Sequence, residues 1–171
     1  MLRRGTPVSR QPTGVTQPGT PSTSSGRQQL KVITELLPVG SEGNGHMVDI
    51  TTEVGRVLKK QKLQFGTVTI FVPGSTAAVT TIEFEPGLQK DLPEAMEHIA
   101  PSEGHVYKHD QTWHDGNGHS HIRASIIGPS LTVPYTNGVM TLGRWQQIVL
   151  IDWDTRPRRR DIVLQLIGVT G

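Results

Sequence analysis

From His121 onward the chain is a succession of short runs rich in β-branched residues, and this pattern restricts the fold more than any other feature of the sequence. Short runs of this composition between turn residues are typical of β-strands. Asn137-Gly138 lies between two of them and indicates a hairpin turn, because both residues tolerate positive φ angles. The sequence predicts strands over residues 121–127, 130–135, 139–142, 146–153 and 161–167.

The first half of the chain mixes both kinds of element. Strand-like patterns cover residues 30–37, 67–72 and 77–84. A helix capped by Asp49, Thr51 or Thr52 is predicted to run to about Lys62, and a second from about Leu88 to Ile99. Strands outnumber helices without a βαβ alternation, so we expect an α+β fold: a compact single domain with a large, mainly antiparallel sheet component and two main helices.

Composition separates residues 1–27 from the rest. They are dominated by Pro, Gly, Ser, Thr and Gln, which predicts a disordered low-complexity tail before a domain over residues 28–171. The tail holds four of the 17 basic side chains and none of the 15 acidic ones, so residues 28–171 carry 13 basic and 15 acidic side chains, a net charge of −2. This balance argues against a nucleic-acid partner.

The chain contains no cysteine, which excludes disulfides and leaves only nitrogen and oxygen ligands for a metal. No apolar run approaches the roughly 20 residues that span a bilayer. We therefore expect a soluble protein without a membrane partner, and the lack of cysteine is compatible with the cytoplasmic localisation that we expect.

Five of the seven histidines fall between His105 and His121, in a tract that also holds Asp110, Asp115 and Asn117. In a strand, His119 and His121 would leave the same face and could bind one ion, which His109 could join. The three polar residues could orient the imidazoles. A metal or acid-base site and a set of surface histidines in a polar loop are both compatible with this pattern.

Three further patterns are candidates for chemistry. Glu83 is a candidate general base, unless it belongs to a solvated strand end. The Gly74-Ser75-Thr76 turn offers amides and hydroxyls to an anion, although an ordinary tight turn has the same composition. Arg123 would share a strand face with His121 and could contact a phosphate or form a cross-strand ion pair. The arginines at 156 and 158–160 are interpreted as a solvated turn.

Three segments resemble the YjbQ family, described as secondary thiamine-phosphate synthases. They are SLTVPYTNGVMTLGRWQQI (130–148), FVPGSTAAVTTIEFEPG (71–87) and YKHDQTWHDGNGHSHIRAS (107–125). The similarity extends over about residues 29–170. It implies a YjbQ-like α+β fold, a homotrimer, and a histidine-lined pocket that can hold a metal. The implied activity is weak thiamine-phosphate synthesis, in which a pyrimidine diphosphate is joined to a thiazole phosphate.

The resemblance matches His109 and His121 to family histidines and Asn117 to a polar position before the second of them. Many family members have a histidine where this chain has Gly74, so His119 or His114 would have to replace that ligand, or the site would hold a phosphate instead.

These observations lead to a hypothesis for the site, with a non-catalytic trimeric metal-binding or ligand-binding protein as the alternative. A divalent ion, zinc or magnesium, neutralises a phosphorylated small molecule in the pocket. The ligands are His109, His119 and His121, the proton is moved by Glu83 or Asp115, and the substrate is held by Ser75, Thr76, Asn117 and Arg123.

Overall fold

The computed structural model describes residues 28–170, so the predicted disordered tail over residues 1–27 lies outside the described residues. Within this range the chain forms eight strands and four helices. The strands are β1 (Leu30–Ser41), β2 (His46–Asp49), β3 (Leu63–Phe71), β4 (Ala77–Ile82), β5 (Ser130–Thr136), β6 (Val139–Met140), β7 (Gln147–Asp152) and β8 (Arg158–Thr170). The helices are α1 (Thr51–Gln61), α2 (Leu88–Ile99), α3 (Lys108–Trp113) and α4 (Gly118–Ile127).

The strands form two sheets in which every neighbouring pair is antiparallel. The larger sheet has the order β1-β8-β3-β5-β6, and the smaller has the order β2-β7-β4. Asn137, with φ of 53°, and Gly138, with φ of 72°, form the turn between β5 and β6. The predicted α+β class, the antiparallel sheets and the two main helices α1 and α2 are therefore confirmed.

The smaller sheet is the middle layer of the domain, and β7 is its most buried strand. Ile148 and Leu150 join the core beneath the larger sheet and α1, whereas Val149, Ile151 and Trp153 join a second core with residues of α2 and α4. Successive side chains of a strand point to opposite faces. The continuous apolar run at residues 148–151 therefore fills both cores at once.

The prediction of a strand at 121–127 is wrong, because this segment is part of helix α4. The buried side chains Ser120 and Ala124 lie four residues apart, a helical spacing. Ser120 donates a hydrogen bond from Oγ to the carbonyl oxygen of Trp153, and Ala124 packs in the second core. The packing of this segment on β7 therefore outweighs the strand propensity of its isoleucines.

Helix α4 can approach α3 closely because its first residue is Gly118. A Cβ atom at this position would lie 2.5 Å from Cβ of Tyr107. Asp110 accepts a hydrogen bond from the Gly118 amide at 3.0 Å, which fixes the two helices of the histidine tract to each other. Among residues 28–170, no helix combines the length and apolar character needed to cross a membrane.

Candidate functional site

Three segments that are distant in sequence enclose an open cleft of about 400 Å³. The β3–β4 loop forms one wall, the histidine tract forms another, and the end of β7, the start of β8 and the segment between them form the floor. The indole of Trp113 is 69% exposed at the edge of the cleft. The lining residues are Gly74, Ser75, Thr76, His109, Trp113, Asp115, Asn117, His121, Asp154, Arg158 and Arg160.

Two histidines from different helices meet in this cleft. The ring of His109, from α3, and the ring of His121, from α4, have centroids 4.5 Å apart. Asp115, in the loop between the helices, places Oδ1 at 3.5 Å from Nε2 of His109. Potential ligand atoms of His109, Asp110 and Asp115 all lie within 4.8 Å of one another. The cleft thus brings together nitrogen and oxygen donors of the kinds that bind divalent ions.

Three buried polar atoms of residues that line the cleft have no hydrogen-bond partner among the described residues, namely Nε2 of His109, Oδ1 of Asn117 and Nε of Arg158. Asn117 is the N-cap residue of α4, yet its side chain makes no capping hydrogen bond. A buried polar group without a partner is costly, and such groups in folded proteins call for a specific explanation. A ligand or ion in the cleft would supply the missing partner.

The floor of the cleft is a buried ion pair. Asp152 is fully buried and accepts hydrogen bonds from Nε of Arg160 at 2.8 Å and from Nη2 at 2.7 Å. Ser41, at the end of β1, donates its hydroxyl to the same carboxylate. The hydrogen bonds with Asp152 raise the pKa of Arg160 above its ordinary value. The guanidinium is therefore charged and held in one orientation.

A second carboxylate extends this pair toward the cleft. Burial by itself raises the pKa of Asp154, but the adjacent Arg158 guanidinium and the Thr76 hydroxyl outweigh that effect and place the pKa below its ordinary value. Nε of Arg158 lies 2.9 Å from Oδ2 of Asp154, and the Thr76 hydroxyl donates to the same oxygen at 2.9 Å. Thr76 also accepts a hydrogen bond from Nη2 of Arg160 at 2.9 Å, which joins the two pairs.

Two expected site residues of α4, His119 and Arg123, lie outside the cleft. Residues two apart in a helix point about 200° from each other, so His119 and His121 leave opposite faces of α4. His119 is buried near Tyr107, with ring centroids 6.3 Å apart, and burial lowers its pKa. Arg123 is buried against Trp153 and donates two hydrogen bonds to the Ala100 carbonyl. Because the segment is helical, His119 and Arg123 do not share a face with His121.

The other predicted residues divide between the cleft and the opposite end of β4. Ser75 and Thr76 line the cleft, but Thr76 is occupied by the ion pairs, whereas Ser75 is exposed. Glu83 follows the last residue of β4, and a six-residue strand is roughly 20 Å long. Glu83 is exposed and does not line the cleft. Of the two proposed proton carriers, only Asp115 lies in the cleft.

The interpretation of the arginine run as a solvated turn is wrong for Arg160, whose side chain is only 12% exposed. The alternation of side-chain direction along an extended chain could have predicted the polar pairs on the floor of the cleft. Asp152 and Asp154 flank the buried Trp153, and Arg158 and Arg160 flank the exposed Arg159, so each pair shares a direction. Sequence alone does not show that the two pairs face each other.

The Arg160 side chain explains why residue 74 is a glycine in this chain. A Cβ atom on Gly74 would lie 2.9 Å from Nη1 of Arg160, so the guanidinium occupies the space beside this residue. Neither candidate replacement for a histidine here is in place: His119 is buried elsewhere and the exposed His114 does not line the cleft.

Comparison with known proteins gives one consistent result. Residues 35–169 match the family model described as UPF0047 protein YjbQ-like. A UPF0047 protein of Archaeoglobus fulgidus is 35% identical over 121 residues, which are 71% of this chain and 90% of that protein. A UPF0047 protein of Methanothermobacter thermautotrophicus is 34% identical over 139 residues, covering 81% of this chain and 94% of the relative.

Solved structures agree with the sequence matches. The crystal structure of a YbjQ-like protein of unknown function from Sulfolobus solfataricus superposes with a TM-score of 0.77 at 29% identity, over 82% of this chain and 99% of that one. A hypothetical protein from Aeropyrum pernix gives a TM-score of 0.74 at 32% identity, over 80% and 98% of the two chains.

Proposed function

From the premise that this chain belongs to the YjbQ-like UPF0047 protein family, we propose that its cleft is the active site of a metal-assisted enzyme that acts on a small phosphorylated substrate. The names of the relatives state no activity, so the proposal depends on the chemistry of the cleft. The observation that carries it is the meeting of His109, His121 and Asp115, in which Nε2 of His109 is buried without a hydrogen-bond partner among the described residues.

The donors in the cleft fit a divalent ion. His109 and Asp115 would hold it, with Asp110 or His121 as a further ligand, because imidazole nitrogens and carboxylate oxygens are ordinary ligands of zinc. Magnesium prefers oxygen ligands and would depend more on the two aspartates. A bound ion would supply a Lewis acid that offsets negative charge on a phosphoryl group. His119 is not among the proposed ligands, because it is buried on the other face of α4.

The protein's own groups would handle the proton and orient the substrate. An imidazole ring can accept and donate a proton, so His121 or His109 can act as acid or base when it does not bind the ion. Asp115 lies close enough to His109 to favour one orientation of its ring. Ser75 and Asn117 present polar atoms on opposite walls of the cleft and would hold the substrate between them.

The family resemblance supplies the first reaction to test, the joining of a pyrimidine diphosphate to a thiazole phosphate. A transferase of this kind is expected to lose turnover when a chelator removes the ion and to recover it when zinc or magnesium is restored. The alternative is a protein that binds the ion or a ligand without turnover. Stoichiometric metal binding together with no turnover of either phosphorylated precursor would support the alternative and contradict the enzyme.

Metal binding tests the site directly. We expect His109→Ala to weaken zinc binding by roughly a hundredfold or more, since loss of even a residue that only orients a ligand costs 10- to 100-fold. His98→Ala is the matched control because His98 is an exposed histidine on α2 outside the cleft. Calorimetric titration of chelator-treated protein gives both affinities. Equal zinc affinity of wild type and the His109 variant would contradict the proposed metal site.

The expected homotrimer is also a proposal, supported by an apolar strip on the edge strand β1. Leu30, Val32 and Leu36 project on one face and are 64%, 62% and 63% exposed. Exposed apolar side chains in a row are typical of surfaces that bind another chain. Light scattering after size-exclusion chromatography measures the mass, and a monomer at micromolar concentration would contradict the trimer.

A further inference from the structure

We propose that Arg158, Arg160 and the Gly74–Ser75 turn form an anion-binding subsite for a phosphoryl group on the floor of the cleft. The inference deepens the proposed function and rests on it for the identity of the substrate. It differs from the expectation that Arg123 would bind the phosphate, because Arg123 is buried outside the cleft and occupied by Glu97 and Ala100.

The first argument comes from the donors of Arg160. A guanidinium has five N–H groups, and the hydrogen bonds of Arg160 within residues 28–170 use those on Nε and Nη2. Nη1 keeps its two N–H groups on the side next to Gly74, where the cleft is open. Arg160 thus retains donors for a ligand after its protein contacts are made.

The second argument is that the carboxylates orient the arginines instead of competing for the ligand. Asp152 is fully buried and bound by Ser41 as well as by Arg160. Asp154 is 2% exposed and bound by Thr76, with Arg158 on its outer side. Groups that are fixed before binding lose little entropy when the ligand arrives. The arrangement therefore presents two guanidinium groups to one cavity: Arg160 is fixed by three hydrogen bonds, and Arg158 is held beside Asp154 by an ion pair.

The third argument is the glycine. Any side chain at position 74 would begin 2.9 Å from Nη1 of Arg160 and would cover these N–H groups. Glycine keeps the approach open, and the exposed Ser75 next to it adds a hydroxyl donor. Paired guanidinium groups with a nearby hydroxyl match the oxygen atoms of a tetrahedral phosphoryl group, to which arginine binds strongly. The histidine wall opposite would then face the atoms attached to phosphorus.

The experiment is calorimetric titration of the full chain with inorganic phosphate in the presence of a chelator. We expect Arg158→Gln to weaken phosphate binding about tenfold or more, because a hydrogen bond to a charged group is lost. Arg159→Gln removes the same charge from the neighbouring, exposed position outside the cleft and should leave the affinity within about twofold. Gly74→Ala should weaken binding without any change of charge.

The outcomes separate this inference from the proposed function. Equal weakening by the Arg158 and Arg159 variants would indicate general charge attraction and would overturn the subsite, as would the absence of phosphate binding by metal-free wild type. His109→Ala should still bind phosphate when metal is absent. If wild type binds phosphate but neither zinc nor magnesium, the proposed metal-assisted function fails and the anion subsite stands.

Discussion

The ion pair beneath the cleft predicts a large loss of stability when Arg160 is replaced by Met. Arg160 supplies two charge-assisted hydrogen bonds to Asp152, which is fully buried. Without them, the donors left to the carboxylate among residues 28–170 are the Ser41 hydroxyl and the Asp154 amide. Removal of one partner from a buried ion pair costs about 3–5 kcal/mol, because the other charge remains buried.

Urea unfolding followed by tryptophan fluorescence measures this loss of free energy of unfolding, since Trp153 is fully buried beside the pair. Thermal unfolding is a second measurement. For a domain of this size, 1 kcal/mol corresponds to roughly 3 °C, so the melting temperature should fall by about 10–15 °C. All variants need the same protein concentration, because assembly would make the midpoint concentration-dependent. Arg159→Met, at the exposed neighbouring position, should change stability by no more than about 0.5 kcal/mol.

A double variant tests the cause. Asp152→Asn removes the buried charge, so Asp152→Asn combined with Arg160→Met should lose less stability than the sum of the single losses, with a coupling of about 1–3 kcal/mol. The reasoning is refuted if Arg160→Met costs less than about 1 kcal/mol, or if the two single losses simply add. Either result would mean that Asp152 does not depend on the guanidinium for its charge.

Two further predictions concern packing and pH. Burial opposes ionisation of Glu97, but hydrogen bonds from Ser102 and Arg123 lower its pKa to about 2, so its contribution to stability is present above about pH 4.5 and is lost as the pH falls toward 2. Because the Glu97 side chain is 44% exposed, Glu97→Gln should cost only about 1 kcal/mol at pH 7. The urea midpoint of this variant should converge with that of wild type near pH 2. A constant difference between the two midpoints across this pH range would contradict the ion pair. Gly168→Ala should destabilise the protein by about 1–3 kcal/mol or more, since the new Cβ would lie 2.4 Å from the Phe65 carbonyl oxygen, whereas Gly40→Ala, with nothing within 4 Å of its Cβ, should be nearly neutral in the same urea assay.

The fold was predictable where the spacing of apolar residues or the turn residues favoured a single type of element. Residues 51–61 and 88–99 are helical as predicted, and Asn137-Gly138 forms the expected turn. The segment at 121–127 was not predictable in the same way, because its isoleucines favour a strand while Ser120 and Ala124 favour a helix docked on β7. Tertiary packing overrides a weak local preference in such cases.

The same error displaced two of the predicted site residues. A strand would have placed His119, His121 and Arg123 on one face, whereas helix α4 places only His121 toward the cleft. The histidines His109 and His121 were assigned to the site from the family resemblance as well as from the spacing, and the structure brings their rings together. The composition of the histidine tract therefore predicted its nitrogen and oxygen donors, but it did not predict the direction of each side chain.

The floor of the cleft depends on pairings that are remote in sequence. β7 belongs to the smaller sheet and β8 to the larger one, so residues 153–157 carry the chain from one sheet to the other. Ser41 of β1 pairs with Arg158 of β8, which brings the end of the first strand to this crossing. Polar side chains from both sheets meet here, namely Ser41, Asp152 and Arg160. The crossing brings an acidic pair before it against a basic pair after it, and the N–H groups on Nη1 of Arg160 lie next to Gly74, where the cleft is open.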